Sequence, residues 1–147
     1  MMDFSHKNVL VVGVGISGNA VAKIAKMQGA DKVVLSDAKA EQDLKYDLTD
    51  VRATGVELVF GPQENTLLDN VDMVILSPAV PVRIPLVQEA YKREIPVVSE
   101  VQVAYELAKS PILAVTGTNG KTTTVTLLGE LMKTRYPDAG VGGNIGV

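Results

Sequence analysis

Apolar residues run along this chain in two alternating rhythms. In "NVLVVGV" (8–14) they occupy consecutive positions, which describes a strand covered on both faces, because one solvated face would demand alternation. Val21, Ile24, Ala25 and Gln28 then recur at helical spacing, with Gly29 as the stop. The strand rhythm returns in "KVVLSD" (32–37), "VELVFG" (56–61), "VDMVILS" (71–77) and "IPVVS" (95–99). "PLVQEAYKRE" (85–94) opens with proline, which suits the first turn of a helix. "EVQVAYELAK" (100–109) predicts another helix, while 40–53 is polar and weakly periodic, a helix or a loop. "SPILAVTG" (110–117) starts a new strand, followed by a helix from about Lys121 to Arg135.

This alternation predicts an α/β fold, a doubly wound parallel sheet with right-handed crossovers. Residues 1–99 hold five strands, enough for a complete small domain. Residues 100–147 begin a second domain with one strand, one helix and a glycine-rich tail. Such a unit cannot close a core alone, so the chain is expected to be the front of a longer protein.

Composition removes several function classes. Fourteen basic against seventeen acidic residues give net −3, and no basic cluster or aromatic array interrupts that balance, so nucleic acid is not an expected partner. With no cysteine there is no thiol nucleophile and no disulfide framework. The strand pattern begins almost at once, leaving no room for a signal peptide, and no apolar stretch reaches the length of a membrane span. A cytoplasmic protein without a membrane partner is expected. The single histidine, His6, lies in the polar lead-in and receives no role.

Two glycine-rich loops carry the candidate chemistry. Gly13, Gly15 and Gly18 form GxGxxG after an apolar strand, and Asp37 ends the next one. Glycines there permit a tight turn and close helix–strand packing, and the helix N-terminus offers free amides to an anion. Asp37 suits a ribose or a base edge, or serves as a solvated turn residue. In the second loop, "GTNGKTT" (117–123) follows an apolar run and opens a helix, the context of a P-loop. Amides from Thr118 to Lys121 would cradle phosphates, Lys121 would reach the outer ones, and the Thr122 hydroxyl would ligate Mg2+. Strict GxxxxGK[ST] needs glycine where Val115 stands, so the arch is shorter than usual. Two further segments are ambiguous. "ILSPAVPVRIP" (75–85) is a stiff, proline-bearing loop at the ligand edge or a plain connection, and in "GVGGNIGV" (140–147) Asn144 contacts a ligand or tolerates a left-handed backbone. At this level an NAD-dependent oxidoreductase and a non-catalytic nucleotide-sensing module stand beside an ATP-using enzyme.

The short P-loop "TGTNGKTT" together with "GVGGNIG" resembles the Mur ligase family over all 147 residues. Within it, the resemblance is to the members that add D-glutamate to UDP-N-acetylmuramoyl-L-alanine: alanine-adding members typically have histidine at Asn119, and diamino-acid-adding members lack the "GGNIG" turn. The resemblance implies a Rossmann-like first domain that binds the UDP of the substrate rather than NAD, and a central ATPase domain that begins at the P-loop. It implies UDP-substrate contacts at Gly15, Ile16, Ser17, Gly18, Asp37, Lys39, Ala79 and Asn144. Ala38 stands where a hydroxyl can occur, and Ala79 replaces a common glycine. It implies ATP contacts at Gly117, Thr118, Asn119, Gly120, Lys121, Thr122 and Thr123, with Lys121 and Thr122 catalytic. The implied reaction is ATP-driven amide formation through an acyl phosphate in peptidoglycan-precursor synthesis, with ATP and Mg2+ as cofactors. The 147-residue piece is expected to be inactive alone.

Overall fold

The computed structural model describes residues 2–143, and Asn144 lies outside them. Five parallel strands, β1 (Asn8–Val12), β2 (Lys32–Asp37), β3 (Glu57–Phe60), β4 (Met73–Leu76) and β5 (Val97–Ser99), form one sheet in the order β3-β2-β1-β4-β5. Leu10 pairs with Val34 on one side and Val74 on the other, placing β1 at the centre. Successive strands are added on one side of β1 up to β3 and on its other side from β4. That switch point is where doubly wound sheets open a crevice at the strands' C-terminal ends.

Both faces of the sheet are covered, as the unbroken apolar runs require. One face buries Val9, Val11, Val33, Leu35 and Ile75 beneath α1 (Ile16–Met27), α2 (Thr49–Ala53) and α4 (Glu100–Leu107). The other buries Leu10, Val12, Val34, Val74 and Leu76 against α3 (Pro85–Lys92) and a 3-10 turn at Asn65–Leu68. Pro85 does open α3, and Gly29, at φ +95, ends α1. The predicted helical stripe is off by one contact line. α1 buries Gly18, Val21, Ala22 and Ala25, while Ile24 is 39% exposed and Gln28 is outside the core. Small residues face the sheet there because α1 lies too close to β1 for larger ones. The ambiguous stretch 40–53 resolves into a 3-10 turn, Glu41–Asp43, and the short α2.

The chain divides into two compact units, residues 1–109 and 110–147. α4 belongs with the first, since Val103 is buried in its core and the helix touches α1. The compact unit therefore runs ten residues past the boundary expected at 99/100. In the second unit, α5 (Lys121–Lys133) forms as expected, but 110–117 is not a strand. A strand needs hydrogen-bonded neighbours, and among the described residues the second unit supplies none. Ile112, Leu113, Leu127 and Leu131 are more than half exposed. No helix among the described residues is long and apolar enough to cross a membrane.

Candidate functional site

The first glycine-rich turn is built by close approach. Gly13, at φ +102, donates its amide to the Ser36 carbonyl at 2.8 Å, extending the sheet by one bond. A Cβ on Gly13 would lie 2.6 Å from Val80 Cγ2 and 2.8 Å from Ser77 Cβ. The turn Ser77–Val80 after β4 is thus seated directly on the turn after β1. On the other side, a Cβ on Gly18 would lie 2.1 Å from the Gly13 carbonyl oxygen. Gly15 differs, because its backbone is extended and nothing but Tyr46 comes within 4 Å of a methyl placed there. Its bare backbone leaves the start of α1 approachable. The first bond of α1 runs from Asn19 N to Gly15 O, so the amides of Ile16, Ser17 and Gly18 have no partner in the helix. No acidic residue occupies that first turn, and the helix dipole there favours an anion.

Asp37 is tied into this turn by both oxygens. Oδ2 accepts from Val14 N at 2.8 Å and Oδ1 from Lys39 N at 2.9 Å. The carboxylate therefore staples the loop after β1 to the loop after β2, with one lone pair on each oxygen still free for a ligand. Lys39 is exposed and makes no ion pair among the described residues. Ala79 sits exposed in the turn that rests on Gly13. Ile16 is 81% exposed at the helix start, and Ser17 is half-buried beside it. The structure thus brings Gly15, Ile16, Ser17, Gly18, Asp37, Lys39 and Ala79 to one edge of the sheet, around the β1–β4 switch point. Two residues not expected from the sequence join them. Gln63 Nε2 donates to the buried Ser36 hydroxyl at 3.0 Å, and Tyr46 overhangs Gly15. Neither carries a sequence signal, as both lie in polar segments without motif or period. An open hollow of about 390 Å3 lies at the opposite edge, lined by strand starts Asn8, Lys32 and Glu57, away from this turn.

The second loop belongs to the second unit. Gly120 caps α5 in the left-handed region, φ +76, a conformation that glycine adopts without strain. The first helical bond is Thr124 N to Gly120 O, so the amides of Lys121, Thr122 and Thr123 point off the helix end. Lys121 folds back over the arch, its ammonium donating to Gly117 O at 2.6 Å and Thr118 O at 3.3 Å. Residues 116–124 are exposed, and the Thr122 hydroxyl makes no hydrogen bond among the described residues. Three free amides, one fixed positive charge and one free hydroxyl at a helix start suit a polyphosphate with its metal ion.

A family model of the Mur ligase MurD-like N-terminal domain matches residues 7–99. The chain belongs to the Mur ligase family. The match ends where β5 ends, so the glycine turn, Asp37 and the Ser77–Val80 turn all fall inside this Mur ligase domain. Similar curated relatives carry one name. UDP-N-acetylmuramoylalanine--D-glutamate ligase of Pelotomaculum thermopropionicum is 46% identical over 99% of this chain and 32% of its own. That of Caldicellulosiruptor bescii is also 46% identical, with the same two coverages. The chain therefore spans about a third of the length of the curated relatives it matches. Among solved structures, the UDP-N-acetylmuramate:L-alanyl-gamma-D-glutamyl-meso-diaminopimelate ligase from Neisseria meningitides is similar. It has a TM-score of 0.60 and 26% identity over 97% of this chain and 46% of its own.

Proposed function

We propose that this chain is the nucleotide-binding front part of an ATP-dependent amide ligase of the cytoplasm. The reaction joins D-glutamate to UDP-N-acetylmuramoyl-L-alanine, with the UDP group at the first glycine turn and ATP at the second. The observation that carries the reading is the second arch. Gly120 is left-handed, Lys121 is folded on the Gly117 carbonyl, and three amides are free. A dehydrogenase has no use for such a loop, whereas a ligase that activates a carboxylate with ATP requires one.

The chemistry divides between positioning and charge. The substrate carboxylate oxygen attacks the γ-phosphorus of ATP, its P–O bond to ADP breaks, and an acyl phosphate results. The amine of D-glutamate then attacks the acyl carbon, loses a proton, and phosphate departs as the amide forms. In the first step, the Lys121 ammonium and the amides of residues 121–123 offset negative charge on the moving phosphoryl group, an electrostatic task. Mg2+, when bound, adds further positive charge, and the Thr122 hydroxyl is the group that would hold it. No nucleophilic side chain is needed, in keeping with a chain that has no cysteine. At the first turn, the amides of Ile16, Ser17 and Gly18 hold the diphosphate, and Asp37 fixes the loop while its free lone pairs face the nucleoside.

Calorimetric titration of the 147-residue chain tests the assignment of the first turn. UDP gives a saturable heat and NADH gives none. NADH binding without a response to UDP would overturn the reading and restore an oxidoreductase.

A further inference from the structure

The stretch between β2 and β3 carries no motif, yet the fold pins it over the first glycine turn. Leu48 is buried in the core and Leu44 packs against it, two residues to either side of Tyr46. An ion pair joins Glu41 to Arg52 across the stretch, and Thr49 N donates to Asp47 Oδ1 at 2.9 Å. Four tie points in a dozen residues hold the backbone around Tyr46 in one place. The side chain they present is 44% exposed, and its hydroxyl makes no hydrogen bond among the described residues. A methyl at Gly15 would lie 3.9 Å from that hydroxyl oxygen and 4.0 Å from Cζ. The phenol therefore stands beside the one residue of the turn whose lack of a side chain no protein contact requires. Gly15 precedes the unpaired amides at the start of α1, whose first turn holds no carboxylate. Free amides at a helix start suit an anion.

We propose that Tyr46 is a binding residue of this site: its ring walls the space above Gly15, and its hydroxyl donates to an oxygen of a nucleoside diphosphate. The proposal rests on the reading of the first turn as the UDP site. It assigns to the stretch between β2 and β3 a part in recognising the phosphate rather than the base.

The test uses wild-type chain and Tyr46→Phe, titrated with UDP and with uridine and followed by amide chemical shifts into the millimolar range. Unchanged shifts elsewhere in the unliganded variant show that it is folded. The expected result is a loss of about tenfold or more in UDP affinity, the size of one hydrogen bond to a charged group, with uridine affinity unchanged. If wild-type chain does not bind UDP, the reading of the first turn falls and Tyr46 falls with it. If wild-type binds UDP and Tyr46→Phe binds it equally well, Tyr46 alone is removed and the turn keeps its ligand. Equal losses for UDP and uridine overturn the phosphate contact, because uridine has no phosphate to lose.

Discussion

Replacing Gly18 by alanine sets two physical effects of opposite sign against each other. Gly18 lies inside α1, where alanine is favoured over glycine by about 1 kcal/mol, so helix propensity alone predicts a more stable protein. The added Cβ would sit 2.1 Å from the Gly13 carbonyl oxygen and 3.2 Å from its carbon. That neighbour is backbone and cannot rotate away. Nor can it retreat, because Gly13 is bonded to Ser36 and has Ser77 and Val80 against its other side. The helix must lift from the sheet instead, since Leu35 Cδ1, 3.6 Å from the added Cβ, already fills the space beside it. Overpacking of this kind costs about 1–3 kcal/mol, and a rigid backbone partner puts it at the upper end. The net effect is a destabilisation of about 2 kcal/mol after the propensity gain. In urea, with a slope of about 2 kcal/mol per molar, the midpoint falls by about 1 M. Equilibrium unfolding followed by circular dichroism measures it. A midpoint equal to wild type or higher would refute the claim that helix–strand distance dictates this glycine.

Asp37→Asn keeps the shape but leaves one of the amides of Val14 and Lys39 facing an NH2 group; stability should drop by about 1–3 kcal/mol, with weaker UDP binding, and an unchanged midpoint would show that the carboxylate does not staple the two loops. In the amide ligase proposed above, Lys121→Ala should lower turnover by about 10²–10³, measured as phosphate release, and near-normal amide synthesis would exclude the lysine. Amides of residues 110–143 should exchange with solvent well before those of β1, β2 and β4, and the 147-residue chain should release no phosphate above background with MgATP and both substrates. Protection of the second unit equal to that of the sheet would show that it is stable by itself.

The sheet was legible because its cause is local. Val9 to Val12 are apolar at every position, and only a strand covered twice uses such a run. Proline at 85 and glycine at 29 marked helix ends through backbone chemistry that does not depend on neighbours. What failed to read depended on distance in space. Residues 110–117 have strand composition, but a strand is a relation between segments, and among the described residues the second unit has no partner for this one. Ile24 fits the period of α1 yet lies outside the stripe chosen by the tight approach of Gly18 and Ala22 to the sheet. The glycine loops announced themselves by spacing. The part Asp37 takes in holding its own loop, and the place of Tyr46 above Gly15, arise only when three separate connections meet at one edge.

The central position of β1 has a consequence for how the protein is made. β1 leaves the ribosome before the other four strands of the sheet, and it gains β2 on one side soon afterwards. Its other edge pairs with β4, where Val9 meets Met73 and Val12 meets Leu76. At about 5–20 residues per second, the middle of the sheet stays open on that side for roughly 3–13 s of synthesis. During that interval the chain exposes the apolar strand Val9–Val12 with an unpaired row of amides and carbonyls, a template for any other nascent strand. The Ser77–Val80 turn, which seats itself on Gly13, can form only when that wait ends. The edge around Gly13 is therefore among the last features of the first unit to appear, although its glycines are made well before β4.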